Sequence, residues 1–120
     1  MNKVNPFLYQ NIDNSNHWII SEIILNQCKQ HPNNKIIQFV DGPEWSFDDL
    51  KNIAFEKAKT LRDLSINQGD TVTVMVDDPV DFIPYWVASS FLGVMFVALN
   101  TALKGSVLLH QIRLANSNVI

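Results

Sequence analysis

Cysteine is almost absent from this sequence, since Cys28 is the only one among 120 residues. A single thiol forms no disulfide within the chain and cannot supply a cysteine-based metal site. The start at Met1 also lacks the basic and then apolar pattern of a secretory leader. We therefore predict a protein of the reducing cytoplasm, with Cys28 filling a buried space.

Charge is also scarce and well mixed. Charged residues make up 18% of the sequence, and 9 basic and 12 acidic side chains give a formal net charge of −3. The two signs are interspersed, so the basic surface that nucleic acids require is not indicated. His17, His31 and His110 do not have the spacing of metal ligands. The 47% hydrophobic content instead predicts a globular domain with a core, without a nucleic-acid partner or a bound metal.

Glycine is limited to four positions, each explained by a turn or by the end of an element. They form neither a Gly-x-x-x-x-Gly-Lys-Ser/Thr loop nor a Gly-x-Gly-x-x-Gly loop, the two arrangements that cradle phosphates. The sequence therefore predicts no phosphate-binding loop of these kinds. The four are Gly42, Gly69, Gly93 and Gly105.

Residues 69–103 are the most informative segment, because the spacing of their apolar residues changes twice. Valine alternates with other residues in 71–76, which is typical of a β-strand. Pro79 suits the first turn of a helix that Gly93 can close, and 94–99 is a second buried-strand candidate. The segment predicts a strand–helix–strand unit, and such units build parallel sheets.

A membrane-spanning helix is the alternative for this segment. Residues 82–103 carry no charge and are long enough to cross a bilayer. Pro84, the Ser89–Ser90 pair and Gly93 argue against one continuous helix, as does the β-branched second half. We favour the soluble strand–helix–strand unit and predict no membrane span.

The N-terminal half predicts an arm, a helix and a hairpin. Residues 1–16 are rich in Asn and lack periodicity, whereas 17–29 carry an apolar stripe with helical spacing. Two strands, 35–40 and 44–47, flank the turn signal Asp41–Gly42. The hairpin leads directly into the next helix.

Side-chain chemistry marks where that helix begins. Ser46 and Asp49 have the spacing of a capping box, with Asp in place of the usual Glu, so a helix is predicted from there to about residue 64. A last helix is predicted over 106–115, and Val119–Ile120 resembles the first two residues of a strand, so we expect a truncated chain. Buried positions are predicted for Trp18, Trp45, Trp86, Leu108, Leu109 and Ile112.

Several short motifs follow one another in the order of a known family. They are Trp45-Ser46-Phe47, Leu50, Gly69-Asp70, Asp81-Phe82, Gly93 and Asn100. Together they resemble the N-terminal part of the AMP-forming acyl-CoA synthetases of the adenylate-forming superfamily, and the pattern is most similar to the carnitine or crotonobetaine CoA ligases. Ser65 and Asp78 depart from it, since Gly and Asn are usual there.

The resemblance implies an α/β fold, namely a partial parallel-sheet N-terminal subdomain of an adenylate-forming enzyme with one N-terminal β-hairpin. Residues 1–16 would be an arm, and 17–120 the truncated N-terminal portion of an AMP-binding domain. Such enzymes convert an acid and ATP into acyl-AMP and then into a CoA thioester. ATP, Mg²⁺ and CoA are thus implied for the parent. The family's ATP-binding and catalytic-lysine motifs do not occur here, so we expect this chain alone to be inactive and to bind none of these cofactors.

The candidate site lies where two predicted strands end. Asp77–Asp78 follows one strand and Asn100–Thr101 the next, and ligands of open α/β sheets gather at that edge. In the resembled enzymes the second loop lies near the channel for the pantetheine arm of CoA, which implies a channel wall at Asn100 and Thr101. Alternatively, these two residues only cap the following turn and helix. Neighbouring aspartates point to opposite sides, so we predict a helix cap at one of them and no catalytic residue.

Two kinds of partner follow from these predictions. In the first, the chain associates with the remainder of the parent enzyme. In the second, it is a stand-alone α/β binding or interaction module, and the exposed sheet edge near Val119–Ile120 pairs with another copy or another chain.

Overall fold

The computed structural model describes residues 19–120. The predicted arm at 1–16, together with His17 and Trp18, lies outside the described residues. The elements in order are α1 (Ile20–Gln30), β1 (Lys35–Gln38), β2 (Glu44–Ser46), α2 (Phe47–Asp63), β3 (Thr71–Val74), α3 (Pro79–Leu92), β4 (Met95–Ala98) and α4 (Gly105–Ala115). This alternation confirms the predicted α/β class.

β1 and β2 form the predicted antiparallel hairpin. Ile37 pairs with Trp45, and the register shifts between Lys35 and Ile37. β1 ends at Gln38 rather than at residue 40, because the chain already turns at Asp41, whose φ is 51°. The hairpin is anchored by Trp45, which is buried and meets the Phe39 ring edge-on at 4.6 Å between ring centroids.

α2 begins with the predicted capping box. The Asp49 N–H donates to Ser46 Oγ at 3.1 Å, and the Ser46 N–H donates to Asp49 Oδ2 at 2.8 Å. Two donors that an isolated helix would leave unpaired are thus satisfied. The shorter Asp side chain replaces Glu without loss of either bond.

The β3–α3–β4 unit is parallel, as predicted, with Val72 opposite Phe96 and Val74 opposite Ala98. Asp78 caps α3 by accepting a hydrogen bond from the Val80 N–H at 2.9 Å, and Pro79 lies in the first turn. Gly93 ends the helix in the left-handed conformation, with a φ of 66°. No helix within residues 19–120 combines the length and the apolar character needed to cross a bilayer.

β3 also pairs on its other side. Val119 forms a parallel bridge with Val72, and the Thr73 N–H donates to the Val119 carbonyl at 3.0 Å. β3 therefore lies between β4 and Val119. Val119 thus forms an isolated bridge at the position of the predicted strand start.

Two hydrophobic clusters form the core, and α2 contributes to both. Leu50 and Ala54 join a cluster with α1 and the hairpin, whereas Ala58 and Leu61 join a cluster with β3 and α3. α3 spans the same two clusters through Val87 and Ala88. The two helices thus link the hairpin to the parallel sheet.

Two predicted core positions are wrong. Trp86 is 43% exposed. The buried residues of α3 are Pro84 and the run 87–89, so the side of the helix that carries Trp86 is not covered. Leu109 is 46% exposed, and the other predicted positions of α4, Leu108 and Ile112, are only half-buried, so no residue of this helix is fully buried. Helical periodicity places apolar side chains on a stripe, but only neighbouring elements decide whether the stripe is covered.

Candidate functional site

The two predicted loops meet at the carboxyl edge of the parallel sheet. Asp77 follows β3 and Thr101 follows β4, and the Thr101 hydroxyl donates a hydrogen bond to Asp77 Oδ1. The expectation that these loops are neighbours is therefore confirmed. Thr101 is half-buried and Asp77 is exposed, so this hydrogen bond joins the two loops at the surface of the sheet edge.

Asn100 closes its own turn. Its Oδ1 accepts from the Ala102 N–H at 2.9 Å, and its carbonyl accepts from the Leu103 N–H at 3.0 Å. The Asn100 side chain thus caps the following turn, whereas the Thr101 hydroxyl bonds to Asp77 and neither residue caps α4. The Asn100 side chain is nevertheless exposed, and its amide NH₂ donates to no protein atom within residues 19–120. This NH₂ is available to a ligand beside the loop.

The aspartates at this edge have separate structural partners. Asp77 accepts from Thr101, whereas Asp78 caps α3. Asp81, one turn later, lies 3.8 Å from the Lys57 ammonium of α2. The adjacent carboxylates of Asp77 and Asp78 thus bond to different partners, on different elements.

The ionisable groups with shifted pKa values lie near the hairpin rather than at this edge. Hydrogen bonds from the Ser46 backbone and hydroxyl lower the pKa of Asp49. Burial raises the pKa of Cys28, whose thiol donates to the Phe47 carbonyl at 3.2 Å. A thiol held in its protonated form is a poor nucleophile, so Cys28 is a packing residue.

The described part of the chain also lacks a cluster of potential metal ligands. Residues 19–120 contain no group of three His, Cys, Asp or Glu side chains placed to hold a metal ion.

A cavity beside β3 was not predicted from the sequence. It has a volume of about 420 Å³ and lies between β3, the last turns of α2 and Val119. The alternation of Val72, Val74 and Val76 signalled one apolar face of the strand. It did not reveal that the edge of the strand is open there.

The model of the AMP-binding enzyme family matches residues 24–120, which is most of the chain. This chain belongs to the AMP-binding enzyme family. The match includes the hairpin, the capping box and the whole parallel unit. The resemblance to the adenylate-forming enzymes is thereby confirmed, whereas the closeness to carnitine or crotonobetaine ligases stays a prediction.

Relatives of known name support this assignment. A 2-succinylbenzoate–CoA ligase of Oceanobacillus iheyensis is 29% identical over 104 residues, covering 87% of this chain and 21% of the relative. The AMP complex of O-succinylbenzoate coenzyme A synthetase (MenE) from Bacillus subtilis superposes with a TM-score of 0.74 at 23% identity, covering 80% of this chain and 25% of that one. A complex of VinN with L-aspartate gives 0.78 at 20% identity, covering 84% and 26%. The chain thus spans about a fifth of the curated relative, and the structural likenesses show a shared fold.

Proposed function

We propose that this chain forms the N-terminal part of an ATP-dependent acyl-CoA ligase, which converts an acid and ATP to acyl-AMP and then forms a thioester with CoA. The family match and the similarity to a 2-succinylbenzoate–CoA ligase support this activity for the complete enzyme. The chain's own role is structural, because it supplies part of the sheet and the loops at its carboxyl edge. We place the parent enzyme in the cytoplasm.

For the part of the enzyme that this chain supplies, the main observation is the Thr101–Asp77 hydrogen bond. It fixes the loop after β4 at the edge where ligands of α/β sheets bind. We infer that Asn100 and Thr101 form one wall of the CoA channel. Thr101 positions the loop, and the exposed Asn100 amide faces the ligand. The pantetheine arm of CoA is uncharged and contains two amides, whose carbonyls can accept from an exposed amide donor.

The same edge is poorly suited to nucleotide phosphates. Asp77 and Asp78 place two carboxylates there, and like charges repel a phosphate group. We therefore assign ATP and Mg²⁺ to other parts of the parent enzyme. For this chain alone we propose no bound cofactor and no catalytic activity.

Pyrophosphate release tests this assignment. The purified chain is incubated with ATP, Mg²⁺, CoA and a panel of acids that includes carnitine, crotonobetaine and 2-succinylbenzoate, beside the product of the complete open reading frame. We expect release only from the complete product and with at least one acid, which also identifies the substrate. Release from the 120-residue chain would contradict its proposed inactivity, and a silent complete product would contradict the ligase.

A second measurement tests the CoA-channel wall in the complete enzyme. We expect Asn100→Ala to raise KM for CoA about tenfold, roughly one lost hydrogen bond, and to leave ATP–pyrophosphate exchange unchanged. Asn52→Ala, an exposed position on α2, is the matched control and should change neither. An unchanged KM for CoA in Asn100→Ala would remove Asn100 from the channel.

The module alternative has one supporting observation. The outer edge of β4 pairs with no strand of the described residues, and Met95 on β4 is 59% exposed. An edge of this kind is open to pairing with another chain. Sedimentation equilibrium of the purified chain separates the two proposals. A discrete dimer that Met95→Lys dissociates would favour the module.

A further inference from the structure

Two phenylalanine rings meet at the surface between α2 and α3. The centroids of Phe55 on α2 and Phe91 on α3 are 4.7 Å apart, and the ring planes are tilted by 46°. Phe91 is half-buried against the cluster that contains Val87, whereas Phe55 is 45% exposed. One side of the Phe55 ring thus packs on Phe91 while the rest of the ring faces outward. We call this apolar surface the Phe55–Phe91 patch.

The start of α1 lies beside this patch. Ile19, at the N-cap position, has no side chain that could accept a hydrogen bond, and the Ser21 N–H instead donates to the Ser90 hydroxyl of α3 at 3.1 Å. Ser90 directly precedes Phe91. Ile20 packs against the same hydrophobic cluster as Phe91. The chain therefore enters α1 next to the Phe55–Phe91 patch.

The segment before α1 carries an aromatic side chain within reach of the patch. Trp18 is three residues before Ser21, so its Cα lies within about 11 Å of the Ser21 Cα in any conformation. An indole covers about 150–250 Å² and packs favourably on other aromatic rings. In residues 1–18 only the side chains of Lys3 and Asp13 are fully charged, so the segment suits an apolar surface.

A second copy of the chain is a less suitable occupant. Lys59 lies one turn after Phe55, is exposed, and forms no ion pair with any residue of 19–120. Two copies packed patch to patch would bring their Lys59 ammonium groups towards each other, and like charges across an interface are unfavourable. A segment of the same chain avoids this repulsion, and its covalent link gives it a high effective concentration at the patch.

We propose that the segment before α1 turns back over the Phe55–Phe91 patch and that Trp18 packs on the exposed side of the Phe55 ring. This contact joins the N-terminal segment to α2 and adds to the Ser21–Ser90 hydrogen bond at the start of α1. The family match begins at residue 24, so the contact lies outside what that match describes. It does not depend on the ligase activity, because both partners lie within this chain.

Hydroxyl-radical footprinting of the full 120-residue chain, read at each residue by mass spectrometry, tests the contact. We expect Trp18→Ser to raise the oxidation rate of Phe55 about threefold, because loss of the indole uncovers the ring. Trp86→Ser is the matched control, since it removes another tryptophan, on a side of α3 away from Phe91, and should leave the Phe55 rate unchanged. Low oxidation of the buried Trp45 in both variants shows that the fold is retained.

Nuclear Overhauser contacts in the unmodified chain give a second readout that needs no variant. We expect cross-peaks between the indole protons of Trp18 and the ring protons of Phe55. In a mixture of isotope-labelled and unlabelled chains, these cross-peaks should arise only within one molecule. This measurement decides the question if the oxidation of Trp45 also rises in Trp18→Ser.

Several results would overturn the proposal. One is an unchanged Phe55 rate in Trp18→Ser while Trp45 stays protected, and another is the absence of Trp18–Phe55 cross-peaks. A rise in oxidation at Trp86 in place of Phe55 would assign the segment to the other side of α3. Cross-peaks between labelled and unlabelled chains would make the occupant a second copy. Protection of Phe55 that occurs only in the product of the complete open reading frame would assign the patch to the rest of the enzyme.

Discussion

At the scale of single residues, a few side-chain oxygens determine where helices begin and which loops meet. Ser46 and Asp78 each stand before a helix and accept a hydrogen bond from its first turn. Thr101 instead bonds to Asp77, which lies 24 residues earlier in the chain. The two caps could be predicted because donor and acceptor are within three residues of each other. The Thr101–Asp77 bond could not, since it depends on the register of two strands.

The capping box gives the first stability prediction. Ser46→Ala removes the hydroxyl that accepts from the Asp49 N–H, so we expect a loss of about 1 kcal/mol in the free energy of unfolding. Urea denaturation followed by circular dichroism measures the change. Thr60→Ala is the control, because Thr60 is exposed and its hydroxyl only bonds back to the Glu56 carbonyl of the same helix. Equal effects of the two substitutions would show that the cap contributes nothing.

At the scale of elements, local signals located the parallel unit but not the surroundings of each helix. Alternating valines, Pro79 and Gly93 mark a strand, a helix start and a helix end within the sequence itself, and the structure confirms all three. Exposure of Trp86 and Leu109 was not predictable in this way, because it depends on which elements pack beside α3 and α4. For the same reason, the open edge of β3 appears only in three dimensions.

The second stability prediction concerns Gly93, at the end of α3. Gly93 has a φ of 66°, and an added Cβ would lie 3.1 Å from the Gln68 side chain. We expect Gly93→Ala to cost about 1–2 kcal/mol of unfolding free energy, because a residue with a Cβ is strained there. Gly105→Ala is the matched control, since its φ is 59° and its Cβ would meet nothing within 4 Å.

Comparison of these two variants separates strain from contact. The excess cost of Gly93→Ala over Gly105→Ala should disappear in a Gln68→Ala background, where the neighbouring side chain is gone. If Gly93→Ala is as stable as the unmodified chain, the left-handed helix end is not required in solution.

At the scale of the whole molecule, α2 and α3 join the hairpin and the parallel sheet into one structure. Each helix contributes side chains to both hydrophobic clusters, so neither cluster can lose its packing without disturbing the other. This continuity predicts that the hairpin and the sheet unfold in a single transition.

Leu61 tests this coupling, because it is 2% exposed in the cluster with the sheet, whereas Trp45 belongs to the other cluster. We expect Leu61→Ala to cost about 2–5 kcal/mol, the usual loss for a buried leucine. The variant is measured in a Trp18→Phe, Trp86→Phe background, so that Trp45 is the only tryptophan that fluoresces. The unfolding transitions followed by Trp45 fluorescence and by far-UV circular dichroism should both move to the same lower urea midpoint. Leu64→Ala, at a 55% exposed position one turn away, should change both only slightly. A Trp45 transition that stays in place while the dichroism shifts would show that the hairpin folds independently of the sheet, and that α2 does not couple the two clusters.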